Sequence, residues 1–178
     1  MLHVKDSGFL DAANSFIPME PELWVHPENE KYAYAWHLPQ MRVGEAFDIR
    51  GASRALVLEW VYRNLWIKLG LNNVSKNTQA AALLLRLFML FPTRRVTFMI
   101  QRVILALGKK VLGSPGNAAV DGIFGEKTRG AIYSELSDRY EPTRMALYAE
   151  VYSELQSFNN SDEALWGPIL EAYVTRRI

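Results

Sequence analysis

The acids best placed for chemistry lie early in the chain, where Glu20 and Glu22 stand close to Trp24, Tyr32, Tyr34 and Trp36. A carboxyl group walled by apolar rings holds its proton closer to neutral pH, because burial disfavours the charged form, and it can then serve as a general acid. Glu28, Glu30, Glu45 and Asp48 are the candidates for a second carboxylate. The competing reading is that all of these are solvated acids in a proline-rich loop.

A second constellation runs Val120-Asp121-Gly122-Ile123-Phe124-Gly125-Glu126-Lys127-Thr128 and is followed by Ala131-Ile132. Asp121 suits a tight loop because a short carboxylate can accept from nearby backbone amides, and Gly122 and Gly125 permit positive φ. Ile123 and Phe124 would anchor the loop between two helices. Asp121 therefore reads first as a loop organiser and second as a ligand contact, and the two roles are compatible.

Other chemistries are disfavoured. His3, His26 and His37 lack metal-ligand spacing and read as surface histidines, a zinc site from His26, Glu28 and His37 is a remote alternative, and neither metal nor cofactor is expected. With no cysteine there is no disulfide framework, thiolate site or cysteine nucleophile. No glycine-rich phosphate cradle or serine elbow occurs. A formal charge of +1 creates no field favouring a polyanion, so nucleic acid is not an expected partner. Arg94, Arg95, Arg102, Lys109 and Lys110 read as the solvated face of a helix.

Helices must position these groups. The first fifty residues read as loops on a scaffold. From Ser53 to Leu69, apolar Leu58, Val61, Tyr62, Leu65 and Leu69 recur at helical spacing before Gly70. A second helix is expected from Lys76 to Phe91. A third is capped by Thr93, with Val96, Met99, Ile100, Val103, Ile104 and Leu107 as its stripe, and ends at Gly108. Gly113 to Asn117 is a loop by composition. Further helices are expected from Glu126, after Pro142 with Met145, Tyr148, Tyr152 and Leu155 on one face, and from Asp162. No alternating strand pattern of useful length is visible. The stretch Ala80 to Leu90 carries Arg86 and stops at Pro92, too short to cross a membrane.

The order Asp-Gly-x-x-Gly-x-x-Thr-x-x-Ala from Asp121, preceded by Gln101 and Ala106-Leu107-Gly108, resembles the peptidoglycan-binding domains of bacterial and phage cell-wall hydrolases. Lys109 to Ala119 makes the connection longer than usual. Upstream, Glu59-Trp60-Val61-Tyr62-Arg63-Asn64-Leu65-Trp66 with Lys68-Leu69 resembles the helix after the catalytic loop of glycoside hydrolase family 108. Ala80 to Gly108 is similar to that family's central helices, and Leu165-Trp166-Gly167 with Ile169-Leu170 to its C-terminal helix.

The resemblance implies an all-α fold: a lysozyme-like lobe over residues 1–92, with a divergent N-terminal loop region, and a helical peptidoglycan-binding module over 93–178. It implies cleavage or engagement of bacterial peptidoglycan, with Glu20, or alternatively Glu22, as the catalytic acid of an N-acetylmuramidase. Pro21 and Glu22 stand where the family carries a glycine pair. Substrate would be held by Trp24, Tyr34 and Trp36, since sugar rings stack on aromatic faces, and by Asp121, Gly122, Phe124 and Thr128. Trp60 and Trp66 read as core. The alternative is an inactive relative that binds wall polymer or protein partners within a phage particle or a secretion machine. The N-terminus lacks the basic start and apolar run of a secretory signal, so action at the wall implies another delivery route.

Overall fold

The computed structural model describes residues 4–26, 29–74, 77–108 and 120–158 of the 178, with the side chains of 26, 29–31 and 158 left aside. Most described residues are helical. The chain divides into two compact units, 1–96 and 97–178. Glu28, Lys109 to Ala119 and the expected helix from Asp162 with its Leu165-Trp166-Gly167 lie outside the described residues.

In the first unit, helix α1 (Ser7–Asn14) starts at Asp6, whose Oδ1 accepts from the Phe9 amide at 2.9 Å. The other carboxylate oxygen of Asp6 accepts from the Trp66 indole at 3.0 Å, so one side chain caps a helix and satisfies a buried ring. Phe9 meets Tyr62 and Trp66 edge-on, with centroids 5.1 and 5.5 Å apart.

Strands β1 (Trp24–His26), β2 (Asn29–Ala35) and β3 (Leu38–Pro39) form an antiparallel sheet in sequence order. Trp24 pairs with Tyr34, Val25 with Ala33, Tyr34 with Pro39 and Ala35 with Leu38. This sheet, like α1, falls where only loops were expected. The reason is physical: Ala33, Tyr34 and Ala35 are all buried, so this end of β2 shows no alternation of buried and exposed residues. Short α2 (Gln40–Val43) follows, and its Arg42 guanidinium donates twice to the Phe88 carbonyl, at 2.7 and 3.1 Å.

The helix expected from Ser53 begins there as α3 (Arg54–Val61), capped by the Ser53 hydroxyl. It then widens into a π-helical stretch, Tyr62–Ile67, before Gly70 turns the chain at φ +67°. Val61, Leu65 and Leu69 are buried as expected and are joined by Val57 and Trp66, while Leu58 and Tyr62 are half-buried. A single 3-10 turn, Leu71–Val74, leads to α4 (Thr78–Leu90), capped by Asn77. Trp66 is core, as its helical spacing suggested, and Trp60 is half-buried against Phe47.

Helix α5 (Thr93–Ala106) carries the division between units within it. Its stripe from Val96 to Ile104 is buried as expected. In the second unit, α6 (Glu126–Asp138) and α7 (Tyr140–Phe158) follow the corner after residue 120. Arg102 does not simply face solvent: it donates to Glu150 at 2.5 Å and Glu154 at 2.8 Å, tying α5 to α7. The face expected of α7 is corrected too. Thr143, Leu147, Val151 and Leu155 are inward, at strict four-residue steps, whereas Met145 and Tyr152 are exposed. Leu155 is buried as expected, but both faces of α7 carry apolar residues, and periodicity alone placed Met145 and Tyr152 inward as well.

Candidate functional site

The second unit builds its corner around Gln101. This side chain is 1% exposed, a polar group set in the apolar stripe of α5. Its Nε2 donates to Asp121 Oδ1 at 2.7 Å, to Thr128 Oγ1 at 3.2 Å and to the Ile123 carbonyl at 3.3 Å. Its Oε1 accepts from the Gly122 amide at 3.0 Å. Asp121 Oδ1 also accepts from the Ile123 amide at 2.8 Å. These bonds hold the Asp121 carboxyl below its ordinary 3.8, chiefly through the Gln101 amide and then through the Ile123 N–H.

Gly122 sits at φ +72°, as expected, whereas Gly125, expected to use the same freedom, is at φ −79° as the residue that opens α6. The corner is thus fixed from inside, through Gln101, Asp121 and buried Thr128, while Ile123 is turned outward at 65% exposure and Phe124 is half-buried. Ile123 was expected to anchor the loop inward; with Gly122 in the left-handed region and the Ile123 amide drawn to Asp121, the side chain projects to solvent instead. Gln101 was legible only as part of the resemblance. The direct signal was a glutamine among Ile100, Val103 and Ile104 on a mostly apolar helix face.

In the first unit the expected residues come together only in part. Glu20 is exposed, and no hydrogen bond or ion pair joins it to the described residues. Trp24 is half-buried, while Tyr34 and Trp36 are each only 5% exposed. The indole of Trp36 donates to the Ala52 carbonyl at 3.1 Å. The rings of Tyr34 and Trp36 therefore belong to the packing of this unit, while Glu20 is exposed. Of the other acids, Asp48 is engaged by the Arg50 guanidinium at 2.6 Å, which with the Arg50 amide lowers its pKa, and Glu45 is exposed. Glu30 lies on β2.

His37 is corrected from surface to interior, at 1% exposure. Its Nε2 lies 3.7 Å from Glu22 Oε2, and its ring stacks on Tyr34 at a centroid distance of 6.3 Å. Trp36 and His37 form the two-residue connection between β2 and β3, with φ of +56° and +59°. Such hairpins favour Asn-Gly, because other residues strain at positive φ. With neither residue present the turn carried no sequence signal, and His37 was missed with it.

Among the described residues no group of three or more His, Cys, Asp or Glu side chains could hold a metal ion, and no helix is long and apolar enough to cross a membrane. In comparison with known proteins, the chain matches no family model and no curated sequence.

Proposed function

We propose that this chain engages bacterial peptidoglycan, as a muramidase-type protein in which a lysozyme-like lobe precedes a helical wall-binding module. The observation that carries the reading is the Gln101-centred corner: a buried amide fixes the backbone from Asp121 to Ile123 and the Thr128 hydroxyl while Ile123 is held outward. Preorganised backbone with an exposed apolar side chain lowers the ordering cost of binding. Engagement is favoured over cleavage. Glu20, the acid that the resemblance implies, is exposed, and no hydrogen bond or ion pair to the described residues orients it toward a scissile bond.

Purified sacculi test this directly. The chain is expected to co-sediment with them without releasing reducing sugar. Gln101→Leu, which leaves the Gly122 amide and Asp121 without their partner, is expected to weaken co-sedimentation and to cost about 2–4 kcal/mol of stability. Failure of the wild-type chain to co-sediment overturns the proposal, and sugar release abolished by Glu20→Gln would restore the muramidase reading.

A further inference from the structure

Hydrogen bonds inside the Gln101 corner occupy its inward polar groups, and this narrows what a ligand can meet there. The Gly122 amide donates to Gln101 Oε1 and the Ile123 amide to Asp121 Oδ1, while the Thr128 hydroxyl accepts from Gln101 and donates to the Ile123 carbonyl. None of these donors is left over for a ligand. Two groups remain outward. Ile123 is 65% exposed, and with both its N–H and its C=O bonded, its side chain is presented on a fixed backbone. Gly125 leaves one flank of it bare, since a Cβ there would stand 4.0 Å from Ile123 Cγ2. Asp121 is exposed too: its Oδ1 accepts twice, and its Oδ2 accepts from no other described residue.

An apolar side chain and a carboxylate oxygen, tied together through the Ile123 N–H, match a ligand that has an N–H donor with a methyl group close by. We infer that the corner takes a secondary amide bearing a methyl group, its N–H donating to Asp121 Oδ2 and its methyl packed on Ile123. This rests on the peptidoglycan reading, and wall polymer carries that pair in two places, the acetamido groups of its sugars and the alanyl units of its peptides. The bond to an ionised carboxylate is charge-assisted, and the fixed backbone lowers the ordering cost.

The test is co-sedimentation of the whole chain with sacculi, as wild type, I123S, D121N and M145A. D121N turns the outward acceptor into a donor and keeps an oxygen for Gln101 and the Ile123 amide. I123S and D121N are each expected to weaken binding on the order of tenfold, with the Tm of I123S within about 2 °C of wild type. M145A, which trims another exposed apolar side chain of the same unit, is expected to bind as wild type does. Two soluble competitors in large excess identify the source: a chito-oligosaccharide, which has acetamido groups and no peptide, and an alanyl stem peptide, which has no sugar. Displacement by either supports the inference. It is overturned if wild type binds and folded I123S or folded D121N binds equally well, if M145A loses as much as I123S, or if neither competitor displaces the chain. Should the wild-type chain fail to sediment, the peptidoglycan reading falls and the ligand assigned to Ile123 and Asp121 falls with it.

Discussion

Asp121 shows how much one carboxylate oxygen can organise, accepting from a side-chain amide and a backbone amide at once. Its pKa in the folded chain lies below the ordinary 3.8. A depressed acid stabilises the fold fully above its unfolded value, and the contribution disappears as pH falls through the lower folded value. Acid unfolding followed by circular dichroism below about pH 4 is therefore expected to be less steep in Asp121→Asn, which has no proton to take up there. Of this corner the sequence exposed the motif, the glycine at positive φ and the organising role of Asp121. It did not expose Gln101 as the centre, because a buried amide is recognised by its partners and these lie 20 to 27 positions along the chain.

At the scale of elements, the two faces of α7 make a direct comparison. Leu147→Ala is expected to destabilise by about 3 kcal/mol, the cost of a cavity, and Met145→Ala by less than about 0.5 kcal/mol in the same denaturant titration. Equal losses would mean that the inward face has been misassigned. On α6, Gly130 is exposed, and a Cβ built there meets nothing within 4 Å. Gly130→Ala is accordingly expected to stabilise by about 1 kcal/mol through helix propensity, read as a rise in Tm. Helices α3 to α6 were legible for different reasons: Ser53 opens α3, a long apolar run marks α4, a one-sided stripe marks α5, and Glu126 places an acid at the start of α6. The sheet and the face of α7 were not, since Ala33 to Ala35 of β2 are all buried and α7 is apolar on both faces. The π-helical stretch after Val61 was hidden too, because its wider turn departs from the spacing used to find helices.

For the whole molecule, twenty basic and nineteen acidic side chains nearly cancel, and Arg102 is already occupied by Glu150 and Glu154. Attachment to sacculi should accordingly depend on fit more than on attraction at a distance. Between about 50 and 300 mM salt, co-sedimentation is expected to change less than about threefold; a steep decline would point to charge as the driving force.

Each unit also hangs an irregular segment on a single glutamine. Gln40 donates to the Gly44 and Phe47 carbonyls and accepts from the Ile49 amide, as Gln101 does for its own corner. Both side chains must give and receive in the same breath, a duality that an amide possesses and an ionised carboxylate lacks. Deamidation at position 101 would change the mass by about one dalton and the volume scarcely at all, yet it would set a negative oxygen against those of Asp121, Ile123 and Thr128. Ageing at one buried nitrogen would thus undo the corner while every neighbouring atom stayed chemically intact.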